Sequence, residues 1–169
     1  MSVSMYQATI PVFIRGLRVV SSLLEKAQAH VEEDGIVPEI LLGAQLAPDM
    51  LDLTAQVQRA SDTSKMSVER LSGVPAPKFE DNEASFEQLQ ERIASTIAYI
   101  DSVNAGQMAG SAQKKVVLNW TDEGTKFSGD DYLLSFALPN FYFHVSMVHA
   151  ILRNNGVAVG KLDYLGPYD

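Results

Sequence analysis

Leu138-Pro139-Asn140-Phe141-Tyr142-Phe143-His144-Val145-Ser146-Met147-Val148-His149-Ala150-Ile151-Leu152-Arg153-Asn154-Asn155-Gly156 is the most informative segment of the chain. Phe141, Val145, Val148 and Leu152 recur at steps of three and four, which places them on one face of a helix. Asn140 and His144 stand one turn apart, a polar pair beside that apolar stripe. Asn155-Gly156 is a stop signal. Pro139 predicts a break or kink in a helical region spanning roughly 130–154.

The same rhythm recurs three times upstream. Ser4-x-x-Gln7 is a capping box, and Ile10, Ile14, Leu17, Val20, Leu24, Ala27 and Val31 follow as one buried stripe. Pro11 predicts a kink about one turn in, and Glu32-Glu33-Asp34 opposes the dipole at an end closed by Gly35. Pro38 to Gly43 reads as a short helical turn. A second long helix is expected from Pro48, with Leu53, Val57, Ala60, Val68 and Leu71 on its apolar side. Gly73-Val74-Pro75-Ala76-Pro77 ends it as a stiff connection. A third helix is expected from Asp81 or Asn82 through Phe86, Leu89, Ile93, Ile97, Ile100 and Val103. Between Lys114 and Phe127 the period changes to two, which predicts a small β-hairpin that packs through Trp120 and Phe127. Residues 157–169 read as an extended tail.

The chain is therefore expected to form one domain, residues 1–169: an all-α four-helix bundle with a hairpin between helices three and four. The first helix is expected to pack antiparallel on the last. The 169 residues carry a net charge of −8 and no cysteine. A surface this acidic argues against nucleic acid, whose phosphates need clustered Lys and Arg. Absence of cysteine removes thiolate metal sites and disulfides and fits a reducing cytoplasm. No run approaches the ~20 apolar residues of a membrane span. Phosphate-cradling glycine loops, HExxH and GxSxG are also missing.

His144 lies between Phe141 and Val148 on the buried side, and is read as a satisfied core histidine in preference to a ligand or base. His149 is about 140° around the helix from it, so the two cannot share a metal. His30 is read as solvated. Asp49 and Asp52 extend through Gln45 and Gln56 as a polar stripe; the functional reading turns one of these carboxylates toward His144. Asp62 and Lys65 read as an exposed pair, and the acids of Phe79-Glu80-Asp81-Asn82-Glu83 as helix capping.

Leu46-Ala47-Pro48-Asp49-Met50, Phe79 to Glu83, Asp131-Tyr132-Leu133-Leu134, Leu138 to His144 and Ala150 to Gly156 together resemble a bacterial family of unknown function within the DinB/YfiT-like metalloenzyme superfamily. The resemblance implies an up-down-down-up bundle and a homodimer. Metal-binding members use one histidine on the second helix and a His-x-x-x-His pair on the last. Here His144 matches the first member of that pair, Val148 stands at the second, and residues 49–61 contain no histidine.

Two functions are weighed on this basis. The favoured one is a metal-free small-ligand-binding or structural domain with a buried polar cluster of His144, Asn140, Asp49 and Tyr142. The alternative is a metal-dependent transferase or hydrolase holding a divalent metal such as zinc or nickel on His144, Asp49 and Asp52. Three protein ligands are usual for a catalytic metal, and the incomplete histidine set favours the first.

Overall fold

The structure is a computed structural model that describes residues 3–119 and 124–167. Four long helices form the bundle: α1 (Met5–Asp34), α3 (Leu53–Ser72), α4 (Phe86–Asp101) and α6 (Leu138–Asn154). Around the bundle α1 neighbours α4 and α6, and α3 neighbours the same two. Their inner stripes bury Leu17, Val20 and Leu24 against Val57, Val68, Leu89, Ile93, Phe141 and Val148. These are the apolar positions that the helical period marks out, and their removal from water drives the assembly.

Helix direction follows from residue pairs across each seam. Ser21 meets Gln90 while Gln28 meets Glu87, so α1 and α4 are antiparallel. Gln56 meets His144 while Ser67 meets Tyr132, so α3 and the last helical region are antiparallel. Phe13 packs on Phe141, and Gly156 lies beside His30, so α1 and the last helix run parallel. The expected antiparallel pairing of first and last helices is therefore corrected. Residues 73–85 are the reason. They travel back along α3, from Val74 held by Tyr99 to Glu83 held by Gln58, so α4 starts where α3 started. The result is an up-down-down-up bundle.

Several boundaries differ from expectation because caps prevail over propensity. The short helix α2 is Pro38–Leu42. The helix expected from Pro48 begins at Leu53, where the Asp52 carboxylate accepts the Ala55 N–H at 2.8 Å. The one expected from Asp81 begins at Phe86, capped by Ser85. α1 runs through Pro11 with its capping box closed and ends at left-handed Gly35. Pro139 does not interrupt the last region. Ahead of it α5 (Gly129–Tyr132) widens into a π turn, Leu133–Ala137, in which the Leu138 N–H donates to the Leu133 carbonyl. The wider turn absorbs a proline that a regular helix would resist.

The hairpin pairs β1 (Val116–Leu118) with β2 (Thr125–Phe127), with Val117 opposite Lys126. Val116 and Leu118 point inward, and Phe127 packs edge-on against Tyr132. Trp120, expected to anchor the hairpin, lies outside the described residues. The tail expected to be extended contains a further helix, α7 (Lys161–Leu165), started by the Asp163 carboxylate accepting the Gly160 N–H. Val157 and Val159 are buried ahead of it. Among the described residues no helix is long and apolar enough to cross a membrane.

Candidate functional site

The seam between α3 and the α5–α6 region carries a ladder of polar pairs. His144 Nδ1 lies 2.8 Å from Gln56 Oε1. One turn along, the Asn140 amide donates to Thr63 Oγ1 at 3.0 Å. Further along, the Tyr132 hydroxyl lies 2.9 Å from Ser67 Oγ and accepts from Arg70 Nη1 at 3.0 Å. Gln56, Thr63, Ser67 and Arg70 follow steps of seven, four and three, which is one helix face. That spacing was visible in the sequence. Its partners were not, because they come from a helical region 62 to 88 residues away.

Gln56 settles the chemistry of His144. Its amide nitrogen donates to the Leu51 carbonyl at 3.2 Å, which leaves Oε1 as the atom facing the ring. An amide oxygen only accepts, so Nδ1 carries the hydrogen and Nε2 carries the lone pair. Nε2 has no partner among the described residues, yet it is not one of the fully enclosed unpaired atoms, so it reaches water through the small exposed part of the residue. Burial, with a smaller contribution from the nearby Arg59 guanidinium, pushes the imidazole pKa down to about 4. The ring is thus neutral at physiological pH, a fixed hydrogen-bond acceptor at the surface end of a buried seam.

The four residues expected to form one cluster separate. His144 and Asn140 both face α3. Tyr142, two residues from each, packs against Phe141 and lines a cavity beside α1 and α7. Burial raises the pKa of its hydroxyl. Asp49 is exposed. Asp52 spends its carboxylate on the cap of α3. Val148, at the second position of the His-x-x-x-His pattern, is fully buried in the core. Among the described residues no three His, Asp or Glu side chains gather as metal ligands do. The described residues do not fit a catalytic divalent metal: His144 supplies one nitrogen and, among them, nothing beside it supplies two more.

A second polar cluster went unrecognised in the sequence. The Arg92 side chain is 1% exposed and donates to Asp81 at 2.7 Å, Glu83 at 2.9 Å, Asp62 at 2.8 Å and Ser61 at 3.1 Å. Phe79 lies under it, with the guanidinium carbon 4.8 Å from the ring centroid and Lys65 Nζ 4.9 Å away. Burial works to raise the Glu83 carboxyl, but hydrogen bonds from Arg92 and Gln58 outweigh it and hold the pKa below its ordinary value. Asp81 adopts a left-handed backbone, φ 53°, to reach the cluster. Of the acids read as helix caps, Asp81 and Glu83 are therefore counter-ions that fasten residues 79–83 to the bundle, while Glu80 accepts from the Asn82 amide. The Asp62–Lys65 pair read as exposed is 3.0 Å long, with the lysine side chain 7% exposed. His30, read as solvated, is partly buried and 3.2 Å from Asp34.

Residues 5–165 match the family described as Domain of unknown function (DUF1993). The chain belongs to the DUF1993 family. It is also similar to a DinB family member from Shewanella denitrificans, known from a crystal structure. The two are 36% identical, with a TM-score of 0.91 over 98% of this chain and 94% of that one. No curated protein matches it. Within this DUF1993 chain the second-helix position facing His144 is taken by Gln56, which orients the ring and brings no metal-binding nitrogen of its own.

Proposed function

We propose that this chain is a metal-free small-ligand-binding domain, in which the outward Nε2 of His144 accepts a hydrogen bond from the ligand. The observation that carries the reading is the orientation of Gln56, which commits Nδ1 as a donor and leaves Nε2 as an acceptor. A pKa of about 4 makes the ring a poor proton acceptor at pH 7, where a catalytic base works best with a pKa near the working pH. The group is thus better suited to recognition than to proton transfer. Phe143, half exposed beside it, adds an apolar surface at the same place. The homodimer implied by the resemblance and a cytoplasmic location belong to the same proposal.

Thermal unfolding with EDTA and with added zinc tests the metal-free reading. Wild type and His144→Gln are each expected to melt at one temperature with and without metal. A zinc-dependent rise of several degrees in wild type, absent from the variant, would overturn it in favour of the metal enzyme. Long-range 15N NMR of the imidazole is expected to show the Nδ1–H tautomer. Sedimentation at micromolar concentration tests the dimer, and a monomer mass would remove it.

A further inference from the structure

Pro11, Arg15 and Val19 recur at steps of four on α1, with Val12 and Gly16 beside them, so the five share one broad face of the helix. That face lines a cavity of about 460 Å³, closed by Tyr142 and Val145 of α6 and by Tyr164 and Leu165 of α7. The volume falls within the usual range for small-molecule sites. α7 forms the outer wall without a fully buried side chain. Polar contacts fasten it, among them Lys26 to Asp163 at 2.7 Å and His149 Nε2 to the Gly160 carbonyl at 3.0 Å. A wall held in this way opens locally more easily than the core does.

Three polar side chains stand on the cavity wall, and two of them are engaged. Arg15 donates to the Leu165 carbonyl at 2.5 Å, and the Tyr164 hydroxyl lies 2.9 Å from Ser146 Oγ. The Tyr142 hydroxyl has no hydrogen bond among the described residues. Burial raises its pKa, so it stays protonated at pH 7 and keeps a hydrogen to donate. The cavity opens past Pro11, Arg15 and Val19 into a trough of about 830 Å³ between α1 and the C-terminal segment. Arg15 and Arg18 line that trough together with Asp101 and Asp163, so its charges cancel and it selects no net charge. Ile10 and Ile14 supply an apolar wall, and Leu162, 77% exposed, is an apolar side chain that a bound apolar body would cover.

We propose that the cavity beneath α7 binds a small neutral carbonyl compound, a ketone, ester or amide, whose oxygen accepts a hydrogen bond from the Tyr142 hydroxyl. Its apolar body lies along Val12, Val19 and Val145 and extends toward Ile14 and Leu162. A single unengaged donor among apolar walls fixes one end of a ligand and leaves the rest to burial. A charged head would lose its hydration here without gaining a free counter-ion, and such a loss is costly. Tyr142 faces away from the α3 seam that holds His144, so this site and the one at His144 stand independently.

Hexyl methyl ketone, octanoate and octylamine, each below its aggregation concentration, are suitable probes for calorimetry and amide NMR on the full chain. The ketone is expected to shift the amides of Val12, Gly16, Val19, Val145 and Tyr164, and to bind about tenfold more tightly than the anion or the cation. Tyr142→Phe keeps the ring and removes a hydroxyl that bonds no other described residue. It is expected to melt with wild type and to weaken the ketone about fivefold, the worth of one hydrogen bond. Absence of saturable ketone binding would overturn the proposal, as would equal affinity for the three probes. So would shifts centred on Gln56 and Thr63, which would place the ketone at the His144 seam, or a Tyr142→Phe variant with undiminished affinity. The three probes and the shift map on wild type decide the question even if the variant folds poorly.

Discussion

The Phe141 ring packs directly over the backbone of Gly16. A β-carbon built there would stand 2.4 Å from Cε1 and 2.6 Å from Cζ of the ring. The same ring meets Phe13 edge-on at 4.9 Å, so α1 and α6 approach through a glycine that lets the aromatic pair close. The close approach of these two helices depends on that absence of a side chain.

Gly16→Ala is accordingly expected to destabilise, although alanine is the better helix former by about 1 kcal/mol. Fully buried Phe141 has to shift within a dense core, and such overpacking costs about 1–3 kcal/mol. Urea denaturation should show a net loss. A more stable variant would mean that the ring moves freely and that the contact does not set the helix spacing.

Removing the Arg92 guanidinium takes the shared buried counter-ion from three carboxylates, of which Asp62 keeps Lys65 at 3.0 Å and Glu83 keeps the Gln58 amide at 2.8 Å. Arg92→Met is expected to cost about 3 kcal/mol, at the low end for a broken buried pair because Asp62 and Asp81 retain some contact with water. Arg92→Lys keeps the charge but cannot reach all three acids, and should recover only part of the loss. The pH dependence has a definite sign. Glu83 titrates below its ordinary value of 4.5 in the fold, so its contribution is present above that value and is lost as pH falls through the depressed one. Acid denaturation monitored by circular dichroism should therefore be less steep in Arg92→Met than in wild type. A loss under about 1 kcal/mol would reduce the cluster to a surface ion pair.

His144 contributes with the same sign over a different range. Its pKa drops from 6.5 when unfolded to about 4 in the fold, so the folded state binds fewer protons between those values. Full stability is present above pH 6.5 and declines as the pH falls toward 4. The decline should amount to about 2 kcal/mol, allowing for the ring's contact with water. His144→Gln cannot titrate and should show a flatter profile across that window. Parallel profiles for the two proteins would mean that the ring is not held neutral.

The apolar periods determined the helices, because any stripe at steps of three and four must be buried somewhere. Ile10 to Val31 and Phe141 to Leu152 therefore needed no tertiary information, and neither did the Ser4 capping box or the Val116–Leu118 strand, whose signals are local. The starts of α3 and α4 were less legible. Asp52 and Ser85 compete with several other plausible caps, and the choice depends on where the connecting chain is tied down. What the tertiary structure alone decided is the pairing of polar groups. An arginine at position 92 looks like a surface residue until residues 79–83 fold back over it, and the sequence holds no local sign of that return path. Gln56 and His144 likewise reach one another only because α3 and α6 are antiparallel neighbours. The hydrogen bond across the seam then sets the tautomer, and burial with the nearby Arg59 charge lowers the pKa, so both effects arise from groups distant in sequence.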